Sequence, residues 1–367
     1  MQKKRLLITA IVLGLLAILV YTQFREWRNF EWPTFWAQAH HIQKTHILYG
    51  IAFIYLHYAL RALRWKIFLK PLKKTSWVGL IPPTVIGFTG LALLGRPGEF
   101  IRPYLIARRE GVSFSSQIAV WTVERIFDLS AFAVLLLIAV FASNDLDLVG
   151  VNVPFPHFLR HVFHSESYFL TASVAARIVS GFAMGLVIVA VAVSIYGNRL
   201  ADWAETRFGR VRPEVGRKIA GKIREFRLGL NTIYSPWAFV ELSAVSVVMW
   251  FLIALAYREV THAYSIPALQ ALTTSKVLLL VFSSMVGSMV QLPAVGGGSQ
   301  VATISALRGI FDVPKESAVS CGMLLWLVTF MSVVPLGLAL AHRAHLSLRQ
   351  LSKESAQAEA EAEAATI

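Results

Sequence analysis

The chain has 367 residues, of which 56% are hydrophobic and only 15% are charged, with a mean hydropathy of +0.59. A soluble domain carries roughly 25% charged residues, so this composition excludes an ordinary soluble protein and sets much of the surface against lipid. The net charge of +14 sits in loops beside apolar spans, a pattern that fits positive-inside topology and anionic headgroups rather than nucleic acid. The single cysteine, Cys321, lies in an apolar run, which excludes a disulfide framework within the chain.

At the N-terminus, Lys3-Lys4-Arg5 precedes an apolar run from Leu6 to Tyr21. No A-x-A-like cleavage site follows, so residues 1–24 read as a retained transmembrane anchor rather than a signal peptide. A helix needs about 20 apolar residues to cross a bilayer. Five further segments meet that length: His46–Leu63, Ile118–Ala142, Val174–Tyr196, Trp237–Ala256 and Ser317–Ala341. Two other apolar stretches, Trp77–Gly95 and Ala271–Leu292, run into the breaks Gly95-Arg96-Pro97-Gly98 and Pro293-Ala294-Val295-Gly296-Gly297-Gly298. Such clusters interrupt helices, and at membrane depth broken backbone survives only where protein or a watery cavity covers it. The predicted fold class is all-α: a polytopic helical membrane protein of about six full spans plus two re-entrant or broken segments.

Loop charge tests that topology. With both broken segments returning to the side they came from, 25 Lys/Arg fall on the side of the N-terminus and 8 on the other. This bias predicts a plasma (inner) membrane protein with both termini cytoplasmic. Residues 46–142 run span, broken segment, span, and residues 237–341 repeat that order from the opposite side. Gly98 then corresponds to Gly298, and Gly111-Val112-Ser113 to Asp312-Val313-Pro314. The arrangement predicts an inverted repeat, a transporter architecture whose site lies where the breaks meet.

Between the halves, residues 199–233 form a basic stretch. Val215, Ile219, Ile223, Phe226, Leu230 and Ile233 recur at helical spacing, which predicts an amphipathic helix on the cytoplasmic leaflet or a solvated linker. The tail, 343–367, ends in an Ala/Glu run (Ala356–Ala365) expected to be frayed.

A charge at a membrane helix centre costs about 2.5–3.5 kcal/mol, so such residues usually face the protein interior or a polar pathway. Glu124, Arg125 and Asp128 lie in the first third of one span, with Arg125 able to reach Asp128. Glu99 and Arg102 follow the first break, which carries Arg96. Either these charges form an internal ion-pair network, or an arginine grips a lipid phosphate while the acids hold the arginines. In the second half, Gln291 and Gln300 flank the triple glycine near Ser283, Ser284, Ser288 and Ser299, and these groups bridge helices or contact a headgroup. The eight candidate substrate-binding residues are Arg96, Glu99, Arg102, Glu124, Arg125, Asp128, Gln291 and Gln300.

Other chemistry is absent from the pattern. There is no phosphate loop, no HExxH and no CxxC pair, so no cofactor is expected. His157, His161 and His164 share helical spacing but lie in a loop with Pro154 and Pro156, and no metal site is assigned. Asn144, Asp145 and Asp147 read as a solvated outer loop.

The run LLGRPGEFIRPYLIARREGVS, followed by AVWTVERIFDL, resembles the lysylphosphatidylglycerol synthase transmembrane-domain family, often called flippase-like. The family's P-x-R-x-G-E-x-x-R-like and E-R-x-x-D elements match at Glu99, Arg102, Glu124, Arg125 and Asp128. The stretch LPAVGGGSQVATISALRGIFDVPKESAV resembles its second Gly-rich element, with Ser299-Gln300 where the family often has Glu. The resemblance implies lipid translocation or assistance to an envelope-lipid pathway. The soluble aminoacyl-transferase domain of full-length synthases has no counterpart here, so the chain is not expected to make lysylphosphatidylglycerol by itself. Membrane lipids with an anionic or phosphate-bearing headgroup, and a separate envelope-lipid enzyme, are the expected partners. The competing functions are a membrane-embedded transferase acting on a lipid or lipid-linked sugar, which needs an activated donor, and a non-transporting scaffold.

Overall fold

The longest apolar runs become helices long enough to cross a bilayer, and the Gly/Pro breaks become reversals of direction. The computed structural model describes residues 31–142, 150–154, 167–209, 216–217, 220–221, 235–289 and 297–364. The expected anchor at 1–24 and most of the basic stretch at 199–233 lie outside the described residues.

Helix α1 (Trp32–His40) leads into α2 (Lys44–Leu69), followed by α3 (Trp77–Leu94), a 3₁₀ turn (Arg96–Gly98), α4 (Ile101–Glu110) and α5 (Phe114–Ala142). A short antiparallel ribbon, β1 (Gly150–Pro154) with β2 (Ser167–Thr171), is the one departure from an all-helical fold among the described residues. Then come α6 (Ala172–Gly209), α7 (Pro236–His262), α8 (Thr274–Gly287) and α9 (Gly297–Gly309). A last long helix is made of α10 (Lys315–Trp326), a π turn (Leu327–Met331) and α11 (Val333–Arg343), and α12 (Leu348–Ala364) follows it. Among the described residues, five helices are long and apolar enough to cross a membrane: Lys44–Leu69, Trp77–Leu94, Phe114–Ala142, Pro236–His262 and Lys315–Arg343. The predicted crossing Val174–Tyr196 falls inside α6. Residues 200–209, expected to open the basic helix, instead continue α6, whose 38 residues at about 1.5 Å each exceed the bilayer core.

The first Gly break folds α3 and α4 into a tight antiparallel hairpin. A Cβ on Gly98 would lie 2.2 Å from the Gly90 carbonyl oxygen, one on Gly87 2.4 Å from Arg102 Cβ, and one on Gly79 3.2 Å from the Arg109 guanidinium. The end of α4 therefore returns beside the start of α3. The reversal is fixed by Gly95, at φ 69°, and α4 ends on Gly111, at φ 65°, both in the left-handed region that glycine enters without penalty. The second break does the same: a Cβ on Gly287 would lie 2.2 Å from the Gly298 carbonyl oxygen, Gly297 has φ 54°, and α9 is followed by Asp312 at φ 49°.

Helices α2 and α7 pack antiparallel along their lengths. The Gln43 amide donates to the Ala263 carbonyl at 3.0 Å, His46 meets Glu259 at 2.6 Å, and His57 Nδ1 lies 3.2 Å from the Met249 carbonyl oxygen. Around this pair, α3 packs on α11, and α8 packs on α5. The main core gathers apolar residues of α5, α7, α8, α9 and α10, while a smaller one joins α2, α4 and α5 around Trp65, Phe68 and Ile106.

Candidate functional site

The site begins with a glycine. Because Gly87 has no side chain, α4 comes close enough to α3 to drive Arg102 into the protein, where it is 3% exposed. Its guanidinium stacks over Trp65 at 4.3 Å and Phe88 at 5.0 Å, and Trp65 is held by its indole N–H donating to Gln117 at 2.9 Å. Both terminal nitrogens of Arg102 face the Glu124 carboxylate, NH1 to Oε1 at 3.1 Å and NH2 to Oε2, the bidentate geometry that makes arginine–carboxylate pairs strong.

Two arginines at the end of the predicted crossing His46–Leu63, Arg61 inside it and Arg64 just beyond, complete this network. Arg64 donates to Glu124 Oε1 at 2.5 Å, to Asp128 Oδ1 at 2.7 Å and to Ser246 Oγ at 2.8 Å. Arg61 reaches Glu124 Oε1 at 3.1 Å and lies 3.7 Å from Asp128 Oδ2. Its Nε donates to His57 Nε2 at 3.2 Å, so His57 is neutral and gives its Nδ1 proton to Met249. The Trp250 indole N–H adds a 3.3 Å contact to Asp128. All five ionised groups are buried, and Arg64 and Glu124 are fully so. With three guanidinium groups against two carboxylates, the cluster keeps one unit of positive charge. His57, Arg61 and Arg64, spaced by four and three, share one face of α2.

Arg125 does not join this network. Asp128, the acid it was expected to reach, is engaged by Arg64 and Arg61, because Arg125 leaves α5 on a different face. Arg125 is exposed and lies 5.4 Å over the Trp121 ring. It lines a narrow cleft with Trp121 of α5, Gly87, Phe88 and Leu91 of α3, Glu99, and the edge of Arg102. The cleft has room for about one water molecule. Arg102 therefore serves both places, held by Glu124 behind and facing the cleft in front.

Arg96 lies on the 3₁₀ turn and donates to the Met289 carbonyl at 2.6 Å, so the first break touches the approach to the second. Gln291 lies outside the described residues, as do Asn144, Asp145, Asp147, His157, His161 and His164. Gln300 is half-buried in the first turn of α9 and does not line the cleft. Ser284 accepts from the Tyr257 hydroxyl at 2.9 Å, bridging α8 to α7, while Ser283 and Ser288 bond within their own helix. Among the described residues no cluster of three His, Cys, Asp or Glu could hold a metal ion.

The fold and site define a polytopic helical membrane protein with an arginine-rich charge cluster buried among α2, α4, α5 and α7. Residues 6–337 match the family described as Lysylphosphatidylglycerol synthase TM region, and the chain belongs to that family. Comparisons with curated proteins and with solved structures return no match.

Proposed function

We propose that this protein binds the phosphate of a lipid headgroup in the Arg125 cleft and passes the headgroup between leaflets while the acyl chains stay in the bilayer. The observation that carries this reading is the exposed Arg125 beside Arg102, in a cleft backed by a cluster with an unbalanced positive charge. In a low-dielectric setting an excess charge is costly unless an anion meets it. Family membership supports a lipid-related role. The frame fits alternating access. Helices α2 and α7, which open the two halves, lie antiparallel; each half then continues into a glycine hairpin, and each hairpin packs on the last helix of the other half. Exchange of this kind is what an inverted repeat with a two-fold axis in the membrane plane produces.

The orientation is cytoplasmic at both ends in the inner membrane. Arg61, Arg64 and Arg102 are buried and leave the loop tally, but 22 Lys/Arg still stand against 8. A separately encoded envelope-lipid enzyme would supply or consume the lipid.

The test is headgroup accessibility in proteoliposomes with defined fluorescent lipids. Arg125→Ala should abolish translocation while membrane insertion and folding stay intact. Equal transport by the natural chain and the variant would remove the cleft from the mechanism. Transport by neither, across several phosphate-bearing headgroups, would favour a transferase or a scaffold instead.

A further inference from the structure

The Ala/Glu-rich tail is not frayed. Leu348–Ala364 form α12, which packs on the 3₁₀ turn, α4 and α5. Helix α4 uses two faces. Arg102 and Ile106 point to the charge cluster and the core around Trp65. Ile101, Tyr104, Leu105 and Arg108, at positions i, i+3, i+4 and i+7, point to α12. Leu351, 2% exposed, packs with Ile101 and Leu105. The Tyr104 hydroxyl donates to Glu354 at 3.0 Å, Arg108 lies 3.7 Å from the same carboxylate, and the Ser352 hydroxyl reaches the Pro97 carbonyl at 3.4 Å. A helix reading LRQLSKESAQAEAEAEA belongs in water, so the face of α4 that it covers is the aqueous side of the hairpin.

The attachment is small: Leu351 and Ser355 are buried, Leu346 and Leu348 pack partly buried in the same cluster, and the Glu354 ion pair is partly exposed and so weak. The connection from α11 to α12 turns through His345 at φ 52°, a left-handed conformation a non-glycine residue adopts under constraint. We infer that α12 is a cytoplasmic strap: seated on α4 and the 3₁₀ turn it holds Arg102 and Glu99 in the narrow cleft, and its release opens that cleft to water and headgroups. The inference rests on the function proposed above for what the cleft receives, but not for the motion itself.

The test uses the full chain in a Cys321→Ser background carrying Leu91→Cys, a cleft-lining position, labelled from the cytoplasmic side by a membrane-impermeant thiol reagent. Leu351→Ala with Glu354→Ala, and separately a stop after Ser347, should each raise the labelling rate at least threefold. If those variants run as aggregates, a lock decides. Pro97→Cys with Ser352→Cys, oxidised to a disulfide before labelling, should slow labelling at least threefold, and reductant should restore it. Rates within threefold of the Cys321→Ser, Leu91→Cys parent in the release variants, or in the lock where it decides, would overturn the strap. Labelling that follows the strap while no lipid moves would leave the strap standing and refute the flippase reading.

Discussion

Glu124→Gln is the sharpest probe of the buried cluster. Glu124 accepts from Arg61, Arg64 and Arg102 and is fully buried. Glutamine keeps the shape and one acceptor oxygen but removes the charge, leaving three guanidinium groups facing Asp128 alone. Breaking a buried ion pair from one side costs about 3–5 kcal/mol, because the remaining charge is left uncompensated. The retained acceptor puts the expected loss near the lower end, about 3 kcal/mol. Adding Arg102→Gln removes one positive charge and restores the original imbalance, so the double variant should recover about 1–2 kcal/mol of that loss, the coupling expected of contacting residues. Stability would be followed as reversible unfolding in mixed micelles, with Arg125→Ala as the comparison and a change within about 0.5 kcal/mol expected for that exposed site. A Glu124→Gln protein within about 1 kcal/mol of the natural chain would refute the argument, since it would mean that water reaches the cluster and screens it.

Four further substitutions test the frame. Gly98→Ala and Gly287→Ala each press a methyl group against a backbone carbonyl at 2.2 Å and should each cost about 3 kcal/mol or more. Gly181→Ala, with nothing within 4 Å of the added Cβ, should be neutral or gain about 0.5–1 kcal/mol; detergent melting curves of the three would compare them directly. Tyr55→Phe removes the 2.8 Å bond to the Ser332 carbonyl just past the π turn. It should cost about 1 kcal/mol and increase amide exchange around Ser332, measured by hydrogen–deuterium exchange.

Much of the frame was legible because membrane insertion writes it in simple terms. Long apolar runs predict crossings, and all five full crossings predicted after the anchor fall inside observed helices. The glycine breaks predicted the reversals, and Gly98 and Gly298 each sit where a hairpin closes on backbone. The site was half legible. Glu124, Asp128 and Arg102 stood out because charges are rare in apolar spans. Arg61 and Arg64 did not, because positive charge near a span end is also the ordinary signature of a cytoplasmic loop. Only tertiary packing separates the two, as α2 runs on past Leu63 to Leu69 with these arginines turned inward. The tail misled for a related reason: Ala/Glu composition reports solvation, while docking depends on a few residues at the start of α12, Leu351 and Glu354 among them.

The buried cluster and the cleft set these charges in two different surroundings. Asp128, Glu124, Arg61 and Arg64 have partners on every side except at Asp128 Oδ2 and Arg64 Nε, so no headgroup is needed to explain their burial. Arg125 has no such satisfaction; its burial-free position over Trp121 gives it stacking but no counter-charge in that contact. Arg102 joins the two. An anion bound in the cleft, as proposed above, would compete with Glu124 for the same guanidinium, and a shift of Arg102 toward it would loosen the pair that keeps α4 against α5. Charge in the cleft would thereby be coupled to the position of a hairpin helix, through one side chain whose seat exists only because residue 87 is glycine.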